Sequence, residues 1–162
     1  MKTLYLVRHA NSSWDNASQS DHDRPLNPRG EQDAPRMGNR LQKHDPQPAI
    51  IISSSAVRAQ TTAIILATTI GYSESDITID DRLYGAEPKD VMSIIAELDE
   101  TIDCAMLVGH NPTFITLVNA LGHCNLDTMP TCSMAVLTFS TNSWKKLAKV
   151  QGTLVDFDFP KQ

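Results

Sequence analysis

Short runs rich in Ile, Val and Leu alternate along this chain with longer segments whose apolar residues recur every three or four positions. That alternation restricts the fold more than any other feature. Strand-like runs lie at residues 4–7, 49–52, 77–79, 105–108, 134–139 and 152–159. Helices are predicted over 27–44, 56–70, 89–98 and 112–122. In the third, Val91, Ile94, Ile95 and Leu98 fall at i, i+3, i+4 and i+7, one face of a helix. Asn27-Pro28 supplies a capping side chain followed by proline at the first helical position. Ala34, Met37 and Leu41 continue that apolar face, and Pro35 comes early enough to be tolerated. Gly71 and Gly122 stop the second and fourth helices. Residues 15–27 are polar without an apolar period and read as a loop. Strands alternating with helices of this length imply βαβ units. The expected fold is a three-layer α/β/α sandwich with a mainly parallel central sheet, built as one domain over residues 1–162.

Composition removes several function classes. Lys plus Arg number 14 against 19 Asp plus Glu, a net charge of −5. The charges are interspersed, so a nucleic-acid binder relying on phosphate neutralisation is not expected. No apolar run approaches the ~20 residues of a membrane span. The apolar stretch at 4–7 stops at Arg8-His9, too soon for a signal-peptide core. Cys104, Cys124 and Cys132 are odd in number and lack CxxC spacing. They read as reduced residues of a cytoplasmic protein, with neither a disulfide frame nor a zinc site.

Ligands of open α/β sheets bind at the carboxyl ends of the strands. The first strand exits into Arg8-His9-Ala10-Asn11-Ser12, and the second into Ser53-Ser54-Ser55 with Arg58 at the start of its helix. The fourth exits into Gly109-His110-Asn111-Pro112. Three strand ends thus deliver two arginines and two histidines to one edge, where the helices beginning near Ala56 and Pro112 add partial positive charge. A basic pocket on an acidic protein points to a small anion, and phosphate is the leading candidate. Any one of these segments alone would read as a solvated loop or surface arginine; their coincidence carries the inference.

These segments resemble the histidine phosphatase superfamily, with its phosphoglycerate-mutase-like fold, and within it the small SixA-type phosphohistidine phosphatases. Supporting landmarks are Asp23-Arg24-Pro25-Leu26 with Gly30, the run from Arg58 to Ala63, Leu83-Tyr84, and the stretch 144–160. The resemblance implies that His9 is a nucleophile that becomes transiently phosphorylated, with Arg8, Arg58 and His110 completing the phosphate pocket. A neutral imidazole attacking phosphorus splits hydrolysis into two easier steps. Fixed guanidinium donors and a protonated His110 would stabilise the transition state with no metal or other cofactor. The same cations are expected to lower the pKa of His9.

Departures from the family pattern bear on the substrate. Ala10 replaces the usual glycine, and Asp15 stands where mutase-like relatives carry a phosphate-contacting Asn, so it is expected to turn away. Many relatives also place an acid after the third strand to protonate an alkoxide leaving group. Here that region holds Tyr84 near the expected spot, with Asp81 and Glu87 as candidates that read as solvated loop carboxylates. An alkoxide needs proton donation, whereas imidazole, with a pKa of ~6.5, can depart as a neutral ring. The favoured substrate is therefore phosphohistidine on a partner protein, such as a histidine phosphotransfer domain, entering a shallow open pocket. The alternatives are a small phosphoester substrate, favoured if Asp81 or Glu87 reaches the pocket, and a catalytically inactive phosphate-binding module. A mutase would need a more enclosed site.

Other polar residues have plainer expectations. His22, between Asp21 and Asp23, reads as a surface loop rather than a metal ligand. His44 and His123 sit at helix ends, and Thr61 and Thr62 as helix-packing residues. Trp144, Phe139, Phe157 and Phe159 are expected in the core. Ser12, Ser53 and Asn111 are candidates to donate to phosphate.

Overall fold

The computed structural model describes residues 1–161. Its sheet contains six strands among those residues: β1 (Lys2–Arg8), β2 (Ile50–Ser53), β3 (Thr78–Ile79), β4 (Cys104–Gly109), β5 (Met134–Phe139) and β6 (Thr153–Asp158). They lie in the order β3-β2-β4-β1-β5-β6. The first four are mutually parallel, and β5 runs antiparallel to both of its neighbours. Four α-helices accompany the sheet: α1 (Pro28–Leu41), α2 (Val57–Ile70), α3 (Pro88–Ala96) and α4 (Thr113–Gly122).

Alternation along β1 sorts the two cores. Tyr5 and Val7 pack with Ala34, Met37 and Leu41 of α1 and with Ala59, Ala63 and Leu66 of α2. Leu4 and Leu6 point the other way, into a cluster with Val91 and Ile95 of α3 and Phe114, Leu117 and Val118 of α4. Period-two strands between period-3.6 helices produce the expected three layers. Both faces of β1 are covered, which is why its buried residues read as a continuous apolar run rather than an alternation.

Element ends follow local chemistry. Asn27 accepts the Gly30 amide at 2.9 Å and caps α1, as its sequence predicts. That helix ends at Leu41, three residues early, and the ring of His44 turns back to the Arg40 carbonyl. Gly71, at φ 77°, stops α2 in the left-handed region. At the end of α4 the left-handed residue is His123, not the expected Gly122. Gly122 is the last helical residue, and a Cβ there would lie 2.9 Å from Leu137. A 3₁₀ segment, Trp144–Lys149, which the sequence reading did not anticipate, buries Trp144 and Leu147 beneath α3. Trp144 and Phe139 are core residues as expected; Phe157 and Phe159 are only half-buried, because β6 is an edge strand.

Topology alone places the site. β2, β4 and β1 are consecutive neighbours in the sheet and finish in register, with Arg8 beside Gly109 and Ser53 beside Val108. The ladder continues one residue further on each side, through His9 N–H to the Gly109 carbonyl (3.0 Å) and Ser54 N–H to the Val108 carbonyl (2.9 Å). The segments carrying Arg8-His9, Ser54 and His110 must therefore emerge together.

Candidate active site

A cavity of about 640 Å3 opens over these strand ends, and Arg8, His9, Arg58 and His110 all line it. The four residues singled out from sequence are thus brought to one hollow. His9 is 7% exposed, and its ring lies 5.2 Å from that of His110 between centroids. Arg58 is buried on the first turn of α2, and Arg8 hands one Nη1 hydrogen to the Met129 carbonyl at 2.9 Å. Both arginines keep a buried Nε with no hydrogen-bond partner. Unmet buried donors are costly, and both belong to arginines that line the cavity and make it suit an anionic ligand.

The His9 tautomer is fixed locally. Nδ1 lies 2.7 Å from the Ala10 carbonyl oxygen, which can only accept, so Nδ1 carries the hydrogen and Nε2 keeps its lone pair. The Ala10 segment is held in turn from α2. Its amide donates to Thr62 Oγ1 at 2.9 Å, and that hydroxyl donates to the Arg58 carbonyl at 2.8 Å. Thr62 therefore positions the His9 loop, a role beyond the helix packing expected of it. Gly30 does similar work sterically, since a Cβ there would sit 2.1 Å from the Asn11 carbonyl oxygen.

Burial depresses both histidines. His9 falls to about 3, chiefly through desolvation, with His110, Arg58 and Arg8 adding repulsion and the Ala10 hydrogen bond opposing. The direction matches the sequence expectation, but loss of water outweighs the neighbouring cations. His110 falls to about 4, again through burial first and Arg58 second. In the open pocket burial thus favours the neutral ring, whose Nε2 lies 2.8 Å from Ser54 Oγ, whereas the protonated His110 expected from sequence concerns the pocket with a phosphoryl group bound.

Several neighbours depart from their sequence assignments. Asn111 lines the cavity, but its amide donates to the Met129 carbonyl and its Oδ1 accepts the Ile115 amide, so it caps α4. Ser53 is fully buried and donates to the Ser54 carbonyl, away from the cavity. Ser12 lines the cavity and accepts from Arg24 at 3.0 Å. Asp15 is exposed and outside the lining, as expected. So are Asp81 and Glu87, and Glu87 caps α3.

One wall was not foreseen. The stretch read as a plain polar loop brings Trp14, Asp21 and Arg24 to the cavity. Arg24 is 7% exposed, stacks 3.5 Å from the Trp14 ring centroid and donates to Asp21 Oδ1 at 3.1 Å. Asp21 Oδ2 accepts from Arg58 Nη2 at 3.1 Å and from the Tyr84 hydroxyl at 2.6 Å. The Tyr84 hydrogen bond, then the two guanidiniums, hold Asp21 at about 2. The wall is pinned by Leu26, which is buried and bridges to Ser12. Its sequence signal was an arginine between aspartates and Pro25-Leu26, one apolar anchor in a polar tract. His22 belongs to the same wall, edge-on to Tyr84 and 3.0 Å from Ser55 Oγ. Among the described residues no cluster of His, Cys, Asp and Glu could hold a metal ion, and no helix is long and apolar enough to cross a membrane.

Comparison with known proteins agrees with this fold. The profile of the histidine phosphatase superfamily (branch 1) matches residues 4–87. An uncharacterized chloroplastic protein of Arabidopsis thaliana is 30% identical over 93% of this chain and 72% of its own length. An uncharacterized protein of Mycobacterium leprae is 30% identical over 96% of this chain and 100% of its own. Among solved structures, one assigned as the phosphohistidine phosphatase SixA of Agrobacterium tumefaciens superposes with a TM-score of 0.84 at 30% identity, covering 99% of both chains. The strand order, the Arg-His pair leaving β1 and the profile match lead to one statement: this chain belongs to the histidine phosphatase superfamily, with a SixA-like structure.

Proposed function

We propose that the protein is a metal-independent phosphatase that works through a phosphohistidine on His9 and takes phosphohistidine on a partner protein as its substrate, in the cytoplasm. The observation that carries this function is the state of His9: Nδ1–H tied to the Ala10 carbonyl, Nε2 unprotonated, in a cavity with two arginines whose Nε atoms lack partners. Nε2 attacks phosphorus while the bond to the leaving nitrogen breaks. A substrate ring already protonated on its second nitrogen departs as neutral imidazole and needs no acid. His9, now phosphorylated on Nε2 and still protonated on Nδ1, is itself such a ring. Water then attacks phosphorus, the P–N bond returns its electron pair to Nε2, and the water proton leaves with phosphate. Arg8 and Arg58 hold the phosphoryl oxygens, and His110 donates to them as a neutral ring or after taking a proton with the dianion.

The absence of a protonated carboxyl from the lining supports an imidazole leaving group over an alkoxide. Asp21, held at about 2, is ionised at neutral pH, Asp81 faces solvent, and Glu87 is exposed and lines a neighbouring cavity behind His110 and Asn111 rather than the one that holds His9. The test is to mix the protein with a phosphohistidine-bearing protein or phosphoramidate, quench in alkali, and map the acid-labile phosphate. Label on His9, lost in His9→Ala together with turnover, is the expected result. Label elsewhere, or turnover surviving the substitution, would overturn it.

A further inference from the structure

The cavity is electrically divided. Its floor holds Arg8, His9, Arg58 and His110, whereas the wall from residues 14–24 adds a carboxylate, Asp21, paired with Arg24 of the same wall, with Tyr84 against it and Trp14 at the rim. Trp14 is 75% exposed, so the rim offers a free aromatic face. A carboxylate beside a phosphate-binding floor weakens the binding of any anion and needs a reason to be there. Its bonds to Arg58, Arg24 and Tyr84 hold the wall together but do not use all of its accepting capacity, and Arg58 also donates to the Asp21 backbone carbonyl at 2.7 Å, an anchor that does not need the carboxylate.

The acceptor count supplies that reason. An ionised carboxylate offers about four lone-pair sites. Oδ2 takes two donors, from Arg58 and Tyr84, and Oδ1 takes one, from Arg24. One site on Oδ1 is left, on a side chain that is 49% exposed. That leaves room for a single N–H donor from a ligand in the cavity. Tyr84 and His110, edge-on at 5.7 Å, line the same side with ring surfaces, and His22 backs Tyr84 at 4.9 Å.

We propose that Asp21 is a specificity-determining residue, whose free Oδ1 site accepts the N–H of a phosphohistidine ring protonated on its second nitrogen and whose charge disfavours phosphoesters with an anionic leaving group. This role rests on the phosphohistidine phosphatase function proposed above and adds what selects its substrate. A phosphohistidine ring protonated on its second nitrogen is a flat cation with one N–H, complementary to a carboxylate flanked by aromatic rings. A phosphorylated sugar acid or a nucleotide brings negative charge to the same place and is repelled.

The test compares wild type, Asp21→Asn and Asp21→Glu on phosphorylated histidine and on p-nitrophenyl phosphate, with circular dichroism to confirm folding. Loss of one charge-assisted hydrogen bond in the transition state predicts a fall of roughly tenfold or more in kcat/KM for phosphohistidine in Asp21→Asn. The aryl phosphate rate is expected to rise, because the departing phenolate no longer meets a carboxylate, and Asp21→Glu should recover part of the selectivity. In wild type the preference should fade as pH rises past the pKa of the second ring nitrogen; in Asp21→Asn that dependence should flatten. Equal losses on both substrates would overturn the role of Asp21 and leave the phosphatase function standing. A wild type that hydrolyses aryl phosphate through His9 yet leaves phosphohistidine untouched would overturn both.

Discussion

The buried His9 and the half-buried His110, both neutral, make a quantitative demand on stability. The folded pKa values of His9 and His110, about 3 and about 4, lie below the unfolded value of 6.5. Between those values the unfolded chain takes up protons that the folded pocket refuses. Their contribution is therefore intact above pH 6.5 and is lost as pH falls toward 4 and then 3. At about 1.4 kcal/mol per pH unit, each ring removes roughly 2 kcal/mol by about pH 5. Asp21 is shifted the same way, but its window lies lower, between 3.8 and about 2, so it does not enter above pH 5. Urea unfolding at pH 7.5 and pH 5 should show wild type losing more stability than His9→Asn or His110→Asn, by about 2 kcal/mol for each ring removed. His22, His44 and His123 are present in every variant and cancel in the difference. Asparagine keeps an N–H that can reach the Ala10 carbonyl, which limits the structural cost at His9. Equal pH slopes in wild type and His9→Asn would mean that the folded ring protonates as readily as the unfolded one, and a neutral nucleophile below pH 6.5 would be untenable.

Thr62→Val removes the acceptor for the Ala10 amide and leaves a buried N–H unpaired. A loss of about 1–3 kcal/mol in thermal or urea unfolding is expected, with kcat falling more than KM rises as the His9 loop loosens. Phosphate binding should draw a proton onto His110, since a dianion opposes the burial and the Arg58 repulsion that keep the ring neutral. Calorimetry at pH 8 in buffers of different ionisation enthalpy should show net proton uptake in wild type and much less in His110→Asn; identical values would refute the coupling.

What the sequence disclosed, and what it hid, follows from range. The ends of β1, β2 and β4 were legible because β-branched and apolar runs buried on both faces leave a local signature, and parallel strands in one sheet must end on one edge. Arg8, His9, Arg58 and His110 followed from that geometry together with the family resemblance. Helix ends slipped by a turn or less where a distant partner decided them: α1 stops early, and His44 meets Asp156 of β6 at 2.7 Å. The wall carrying Asp21 was hidden because a polar tract has no periodicity. Its placement depends on Leu26 and on Arg24 bonding back to Ser12 and the Ser13 carbonyl. The burial that depresses His110 in the open pocket was hidden for a related reason. Neighbouring charge can be guessed from sequence, whereas desolvation depends on packing.

Those two hidden features act together. Arg8, Arg24 and Arg58 bring three positive charges to the cavity, Asp21 removes one, and both histidines are neutral, so the empty site carries about two positive charges, the complement of a phosphoryl dianion. A permanently protonated His110 would add a third charge, hold product phosphate more tightly and slow its release. A neutral ring that takes a proton only while the dianion is bound strengthens the grip during transfer and relaxes it afterwards. Asp21 meanwhile places its negative charge beside Arg24 on the wall rather than on the floor, so in the proposed reaction the leaving group would meet a carboxylate while the phosphoryl group meets the floor cations. An enzyme built to cleave a P–N bond to a cationic ring has use for that division, and one built for phosphorylated acids does not.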